Sequence, residues 1–250
     1  MAGHSKWAQI KRQKAANDKA RGRLFSKLGR EITVAARLGG GDPDFNPRLR
    51  TAVEAAKSQN MPGENIERAI KRGTGELPGL TYEEISYEGY GPGGAALFIE
   101  CLTDNAKRTV AELRHLLERR GGNLGRSGSV AWMFERRGQI YLDANRYDED
   151  AVLEAALAGG AEDLRREDDT LIITTAVADF HAVQETLRGV GLEFEEAELG
   201  MVPTSTVRVE GVEAARLLEL VAKLEEHDDV QRVFSNFDVD EAAWAVLETS

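Results

Sequence analysis

The sequence predicts an α+β protein of three domains: an N-terminal helical bundle followed by two ferredoxin-like α/β domains, one inserted in the other. Three observations predict it. Apolar residues recur at helical spacing up to about residue 75. Residues 139–202 run strand, helix, strand, strand, helix, strand, which is the ferredoxin-like split unit. Net charge changes sign between the two ends of the chain.

Residues 1–20 are polar and basic, with little apolar periodicity before Leu24, and are expected to form a flexible arm. A helix is expected from Arg21, where Leu24, Leu28 and Ile32 repeat every four residues beside Phe25, Ala35 and Ala36. Gly39-Gly40-Gly41 ends it, because glycine accepts the left-handed cap. A second helix starts at Asn46-Pro47, an N-cap followed by proline at the first helical position, with Leu49, Val53 and Ala56 inward. A third starts at Pro62, places Ile66, Ala69 and Ile70 on one face, and stops at Gly73 and Gly75. Residues 21–78 thus form a small bundle.

Beyond Leu80 the pattern becomes strand-like. Ile85–Tyr90 and Ala95–Thr103 are expected strands around the glycine turn Gly89–Gly94. Thr103-Asp104 caps a helix over 106–120 whose apolar face is Val110, Leu113, Leu116 and Leu117, and Val130–Phe134 is expected to be a strand. The split unit follows, with Pro203 marking its end. Thr206–Val209, Val212–Leu224 and Val230–Phe234 then read as strand, helix and strand, too few for a domain of their own. Joined to the earlier segment they complete a second β-α-β set. The expected boundaries are therefore a discontinuous middle domain, 79–135 plus 204–240, an inserted domain, 136–203, and a tail, 241–250.

Net charge is −11, which taken alone disfavours nucleic acid as a partner. Its distribution reverses that inference. Residues 1–75 hold 16 Lys/Arg against 7 Asp/Glu, and the remainder holds 16 against 36. A basic binding module on an acidic body has this signature, since phosphate affinity follows local cation density. One cysteine, Cys101, lies in the apolar run Ala95–Leu102 and is expected to be a buried core thiol in a reducing, cytoplasmic setting. No apolar run approaches the ~18 residues of a membrane span, and the first residues lack the apolar stretch of a secretory signal.

The arm supplies Lys6, Lys11, Arg12, Lys14, Lys19, Arg21 and Arg23 as cations, Trp7 as a stacking face, and His4 and Ser5 as hydrogen-bonding groups. The competing readings are a solvated tail or a transit peptide, the latter weakened by few hydroxyl residues. Lys27, Arg30, Arg48, Arg50, Arg68, Lys71 and Arg72 extend the basic set over the bundle. The Gln59–Pro62 corner resembles a helix-turn-helix, but Glu64 and Glu67 on its would-be reading helix would face phosphate, which favours an ordinary helical corner. Lys71 and Arg72 also suit a helix C-terminus electrostatically.

Catalytic readings fail on spacing. Gly125–Ser129 lacks the second glycine of a nucleophile elbow, Gly89–Gly94 lacks the Gly-Lys-Ser/Thr of a phosphate loop, and His4, His115, His181 and His227 show no metal-ligand spacing. No metal, cofactor or enzymatic activity is expected. The acidic stretches 193–198 and 225–229 read as solvated faces.

The opening Met1–Trp7 resembles the YebC family. The resemblance continues through Phe25–Leu28, Arg30–Pro43, Asn46–Arg50, Asn60–Pro62, Asn65–Gly75, Tyr87–Gly94, Thr103–Asn105, Arg108-Thr109, Gly121–Gly125, Ser127–Phe134 and Asp228–Gln231. It covers essentially the whole chain as far as Asp238. The resemblance implies three domains, a helical bundle and two α/β domains with one inserted in the other, and no catalysis. It also implies a regulator of gene expression, by DNA-binding transcriptional control or by translational action at the ribosome. Ribosomal RNA is the favoured partner, because a mobile Lys/Arg/Trp arm suits irregular RNA better than groove reading. Promoter DNA is the alternative, and a protein-interaction scaffold the third reading.

Overall fold

A computed structural model describes residues 18–239 of the 250. Three helices come first: α1 (Asp18–Gly39), α2 (Pro47–Ser58) and α3 (Gly63–Gly73). Helix α1 begins three residues before the expected Arg21. Ile32, Ala35, Leu49, Val53, Ala56, Met61, Ile66 and Ala69 form the core of the bundle, and α3 packs chiefly on α1.

The joints of this bundle are side-chain built. Asn46 is the expected cap of α2, its Oδ1 accepting from Leu49 N at 3.1 Å. The same buried side chain donates through Nδ2 to Ala35 O and Gly40 O, both at 2.8 Å, so one amide ties the end of α1 to the start of α2. Asn60 takes φ +57 in the α2–α3 corner, a conformation asparagine tolerates, and lets Met61 turn inward. Thr33 Oγ1 donates to Ala69 O at 3.1 Å across the α1–α3 contact. Gly73 crosses α1 so closely that a Cβ there would stand 2.4 Å from Thr33 O.

The first sheet has the order β3-β1-β2-β9, all antiparallel, from β1 (Glu83–Tyr90), β2 (Ala96–Thr103), β3 (Asn123–Leu124) and β9 (Val230–Ser235). Helix α4 (Ala106–Arg119) joins β2 to β3, and α7 (Gly211–Glu226) precedes β9. Leu97, Ile99 and Cys101 face these helices and meet Leu113, Leu117, Leu217, Val221 and Leu224. Ala96 and Phe98 point the other way, onto Val130, Phe134 and Phe234. Strand β2 is therefore covered on both faces, which is why it reads as an unbroken apolar run rather than an alternating one.

The second sheet contains β4 (Phe134–Asp143), β5 (Asp163–Glu167), β6 (Thr170–Thr175) and β7 (Glu196–Pro203) in the order β5-β6-β4-β7. Helices α5 (Glu149–Ala158) and α6 (Phe180–Gly189) cover one face through Val152, Ala156, Val183 and Leu187. This is the antiparallel ferredoxin-like order that the block of elements predicts.

Both sheets are α+β, but the first departs from the expected second ferredoxin-like copy. The expected strand near Thr206 is the two-residue β8 (Val207–Arg208), which pairs in parallel with β10 (Phe237–Asp238) outside the main sheet. The central pair is instead the β1–β2 hairpin. Two local expectations also change. Val130–Phe134 is not a strand: Ala131–Met133 is a 3-10 turn and β4 starts at Phe134. The amides of Val130 and Ala131 are claimed by the Glu88 carboxylate and cannot join a ladder. The cap of α4 is Asn105, not Thr103-Asp104, because the Thr103 hydroxyl is held inside a buried network.

Candidate nucleic-acid interface

The cations named from sequence fall into three groups. His4, Ser5, Lys6, Trp7, Lys11, Arg12 and Lys14 lie outside the described residues, as does the expected tail 241–250. Lys19 lies in the first turn of α1 with its side chain likewise outside them. Arg21 follows on the same helix, its guanidinium 5.7 Å from the centroid of Phe25, and Arg23 is half-buried.

A second group has internal work. Lys27 donates to Glu225 O. Arg30 donates through Nη1 to Asp229 Oδ1 at 2.8 Å, Asp228 O at 2.7 Å and Leu102 O at 3.3 Å, and lies over the Tyr82 ring. Arg48 bridges Glu31 and Glu84, both at 2.8 Å. Burial disfavours its charge, but the two carboxylates outweigh that and raise its pKa further. Arg50 donates to Pro43 O and Asp44 O and braces the α1–α2 loop. Arg37, which the sequence reading passed over, donates to Tyr82 O. Lys27, Arg30, Arg37 and Arg48 all reach from the bundle to the α/β part or the segment leading into it.

Asp229 is the hub of that junction. It is 2% exposed and accepts from Arg30, Arg108 (2.6 Å), Thr109 (2.7 Å) and Thr103 (3.2 Å). Burial pushes its carboxyl up, but the hydrogen bonds from Arg108, Thr109 and Arg30 outweigh it and hold the pKa below the usual value. Burial first, and Asp229 second, push the Cys101 thiol up to about 12, so it is a protonated core group. Four separated segments, Arg30, Thr103–Asn105, Arg108-Thr109 and Asp228-Asp229, meet at this one carboxylate. Sequence reasoning treated Asp228-Asp229 as solvated. The available signal was that a threonine, an arginine and a second threonine flank the same strand end.

Glu112, His227 and Asp229 also lie together, with one ligand atom each within 4.8 Å of the others. Their donor atoms are already engaged. His227 Nδ1 accepts from Asp229 N at 3.1 Å, leaving Nε2 to donate to Glu112 at 2.9 Å. With two guanidiniums on Asp229, the group suits a hydrogen-bonded junction better than a cation.

The third group faces outward. Arg68, Lys71 and Arg72 are exposed on α3, and their charged side chains, like that of Lys57 at the end of α2, have no ion-pair or hydrogen-bond partner among the described residues. Glu64 and Glu67 stand on the earlier turns of α3. The helix thus presents acids first and cations last, opposite to what an N-terminal reading helix in a major groove requires.

Residues 5–76 match the TACO1/YebC protein N-terminal domain, and residues 82–237 match the TACO1/YebC second and third domain. The chain belongs to the TACO1/YebC family. A "probable transcriptional regulatory protein" of Halothermothrix orenii is 56% identical over 242 residues, covering 96% of each chain. Similarly named proteins of Chlorobaculum tepidum and Acidithiobacillus ferrooxidans are 52% and 53% identical, covering 99% and 100% of each chain. The crystal structure of a conserved hypothetical protein from Aquifex aeolicus matches with a TM-score of 0.82 at 49% identity, over 90% of this chain and 93% of that one. The named relatives carry regulatory names, not enzymatic ones.

Proposed function

We propose that this TACO1/YebC protein is a non-enzymatic, nucleic-acid-binding regulator of gene expression that grips RNA through its basic N-terminal end. The observation that supports this most is the division of labour among the cations. Arg30, Arg48 and Lys27 hold the bundle to an acidic body, while Arg68, Lys71 and Arg72 stand exposed without internal partners. With Lys6, Lys11, Arg12 and Lys14 in the preceding segment, they form the contact surface, and the acidic remainder repels phosphate elsewhere. RNA of the ribosome is the favoured target, because the acids at the start of α3 disfavour groove reading. Promoter DNA is the second reading, supported by the transcriptional-regulator names that the relatives carry.

Ultraviolet crosslinking in intact cells, followed by sequencing of the attached nucleic acid, tests the choice. Ribosomal RNA crosslinked within residues 1–30 is the expected result. Discrete promoter DNA, with ribosomal RNA at control levels, overturns the RNA preference. In vitro, log K falls by ~0.7–0.9 per phosphate contact as log salt rises, and a flat salt response contradicts the charge-based grip.

A further inference from the structure

We propose that the loop from Arg126 to Trp132 is a second contact for single-stranded nucleic acid, with an unstacked base on the Trp132 indole and the adjoining phosphate at Arg126. The proposal rests on the nucleic-acid reading above and adds a site in the acidic part of the chain. Trp132 is 72% exposed. A single exposed apolar side chain needs no explanation by itself. Here, however, the indole is fixed, and the loop beneath it is built at a cost.

Its Nε1–H donates to Ser129 O at 3.1 Å, which sets the ring orientation. Tyr90 Oη donates to the same carbonyl at 3.0 Å, and Ser129 N donates to Arg126 O at 3.1 Å, closing the turn that carries Arg126. Beneath lies Glu88, 6% exposed, whose carboxylate accepts from Gly128 N, Val130 N and Ala131 N at 2.6–2.7 Å. Burial alone would raise its pKa, but the three amides outweigh burial and keep it charged. Gly125 packs so tightly that a Cβ there would stand 2.4 Å from Ser129 Oγ, which is itself buried without a hydrogen-bond partner. A buried carboxylate and a glycine that leaves room for Ser129 hold one surface loop in one shape, and the unsatisfied Ser129 hydroxyl is part of the cost of that shape, which is the mark of a preorganised contact.

The chemistry of the surroundings selects the occupant. Residues 119–137 contain five arginines and one acid, Glu135, within a half of the chain that is otherwise strongly acidic. Arg120, Arg136 and Arg137 pair with Glu219, Glu100 and Glu162. Arg119 and Arg126 are exposed, and their guanidiniums have no partner among the described residues. A rigid indole face on the same short loop as an unpaired guanidinium matches a base and a neighbouring phosphate, and a single strand exposes base faces that a duplex hides.

The test uses the full chain and an oligouridylate of about 10 nucleotides, within the span such sites cover, carrying 4-thiouridine for crosslinking. Crosslinks are expected in the peptide containing Trp132 as well as at the N-terminal end. Trp132→Ala should weaken binding about tenfold at unchanged salt slope, with Trp132→Phe largely restoring it. Arg126→Ala should instead lower the salt slope by about 0.7, one phosphate's worth. Crosslinks confined to the N-terminal end, or full affinity in Trp132→Ala, overturn the loop site while leaving the nucleic-acid reading intact. A parent protein that binds no oligouridylate overturns both.

Discussion

Replacing Asp229 by alanine tests whether the bundle is locked to the α/β part by one buried charge. The carboxylate accepts four hydrogen bonds, two of them from guanidiniums. Removing one member of a buried ion pair costs ~3–5 kcal/mol. The lower end applies, because three of the four stranded donors keep another acceptor: Arg30 keeps Asp228 O and Leu102 O, Arg108 keeps Asp104, and Thr109 keeps Thr103 and Asn105 O, while only the Thr103 hydroxyl loses its acceptor. At about 2–4 °C per kcal/mol for a chain of this size, the melting midpoint of Asp229→Ala should fall by about 6–12 °C. Arg30→Ala should cost less, since Asp229 keeps Arg108. The assay is thermal unfolding followed by circular dichroism on both single variants and the double variant. A coupling of ~0.5–3 kcal/mol between the two positions is expected of residues in one network. A midpoint unchanged within about 1 °C, or single effects that add within the ~0.3–0.5 kcal/mol expected of independent sites, would refute the lock.

Other perturbations follow from the same geometry. Glu88 has a folded pKa below its unfolded value near 4.3, so its stabilisation is complete above that value and is lost as pH falls through the folded pKa; Glu88→Gln should flatten the acid limb of a stability-against-pH curve, measured by denaturant titration below about pH 5. Gly29→Ala should stabilise by about 1 kcal/mol, since the new Cβ meets only Met61 Cε at 3.8 Å in a helix interior, and a calorimetric scan reads the gain. Gly73→Ala should destabilise despite that propensity gain, because its Cβ collides with backbone at 2.4 Å; calorimetry of the two variants should show shifts of opposite sign. Deleting residues 2–20 should abolish RNA binding in a filter assay while leaving the unfolding of the two sheets unchanged, and a collapse of that transition would make the segment structural.

The helices and the second sheet were legible because their signals are local: the Asn46-Pro47 cap, the Leu24–Leu28–Ile32 repeat and the Gly39–Gly41 stop need no knowledge of neighbours. The first sheet was less so. Strand β8 carries an ordinary strand pattern, yet β2 takes β9 as its partner, a choice set by long-range pairing that no window contains. The roles of the cations were the least legible. Arg30 and Arg68 are equal in sequence terms, both on amphipathic helices in a basic stretch. One inserts beside a buried aspartate 199 residues away, and the other stays in solvent. Trp132 was absorbed into an expected strand because the acceptor that withdraws its neighbours' amides, Glu88, lies more than forty residues upstream.

The register of β4 against β7 sets Phe134 opposite Pro203, the first and last residues of the second sheet's run of chain. Two ends held about 5 Å apart by a ladder can be rejoined by a tight turn, so the 70-residue run from Phe134 to Pro203 is a cassette whose gain or loss leaves the path from β3 to α7 nearly unchanged. What the cassette cannot leave unchanged is the surface it covers. Phe134 and Met201 lie against Phe98 and Phe234 on the back of the first sheet, so a lineage discarding it would have to make that back polar at the same time. The two parts are separable in topology and bound together in solubility.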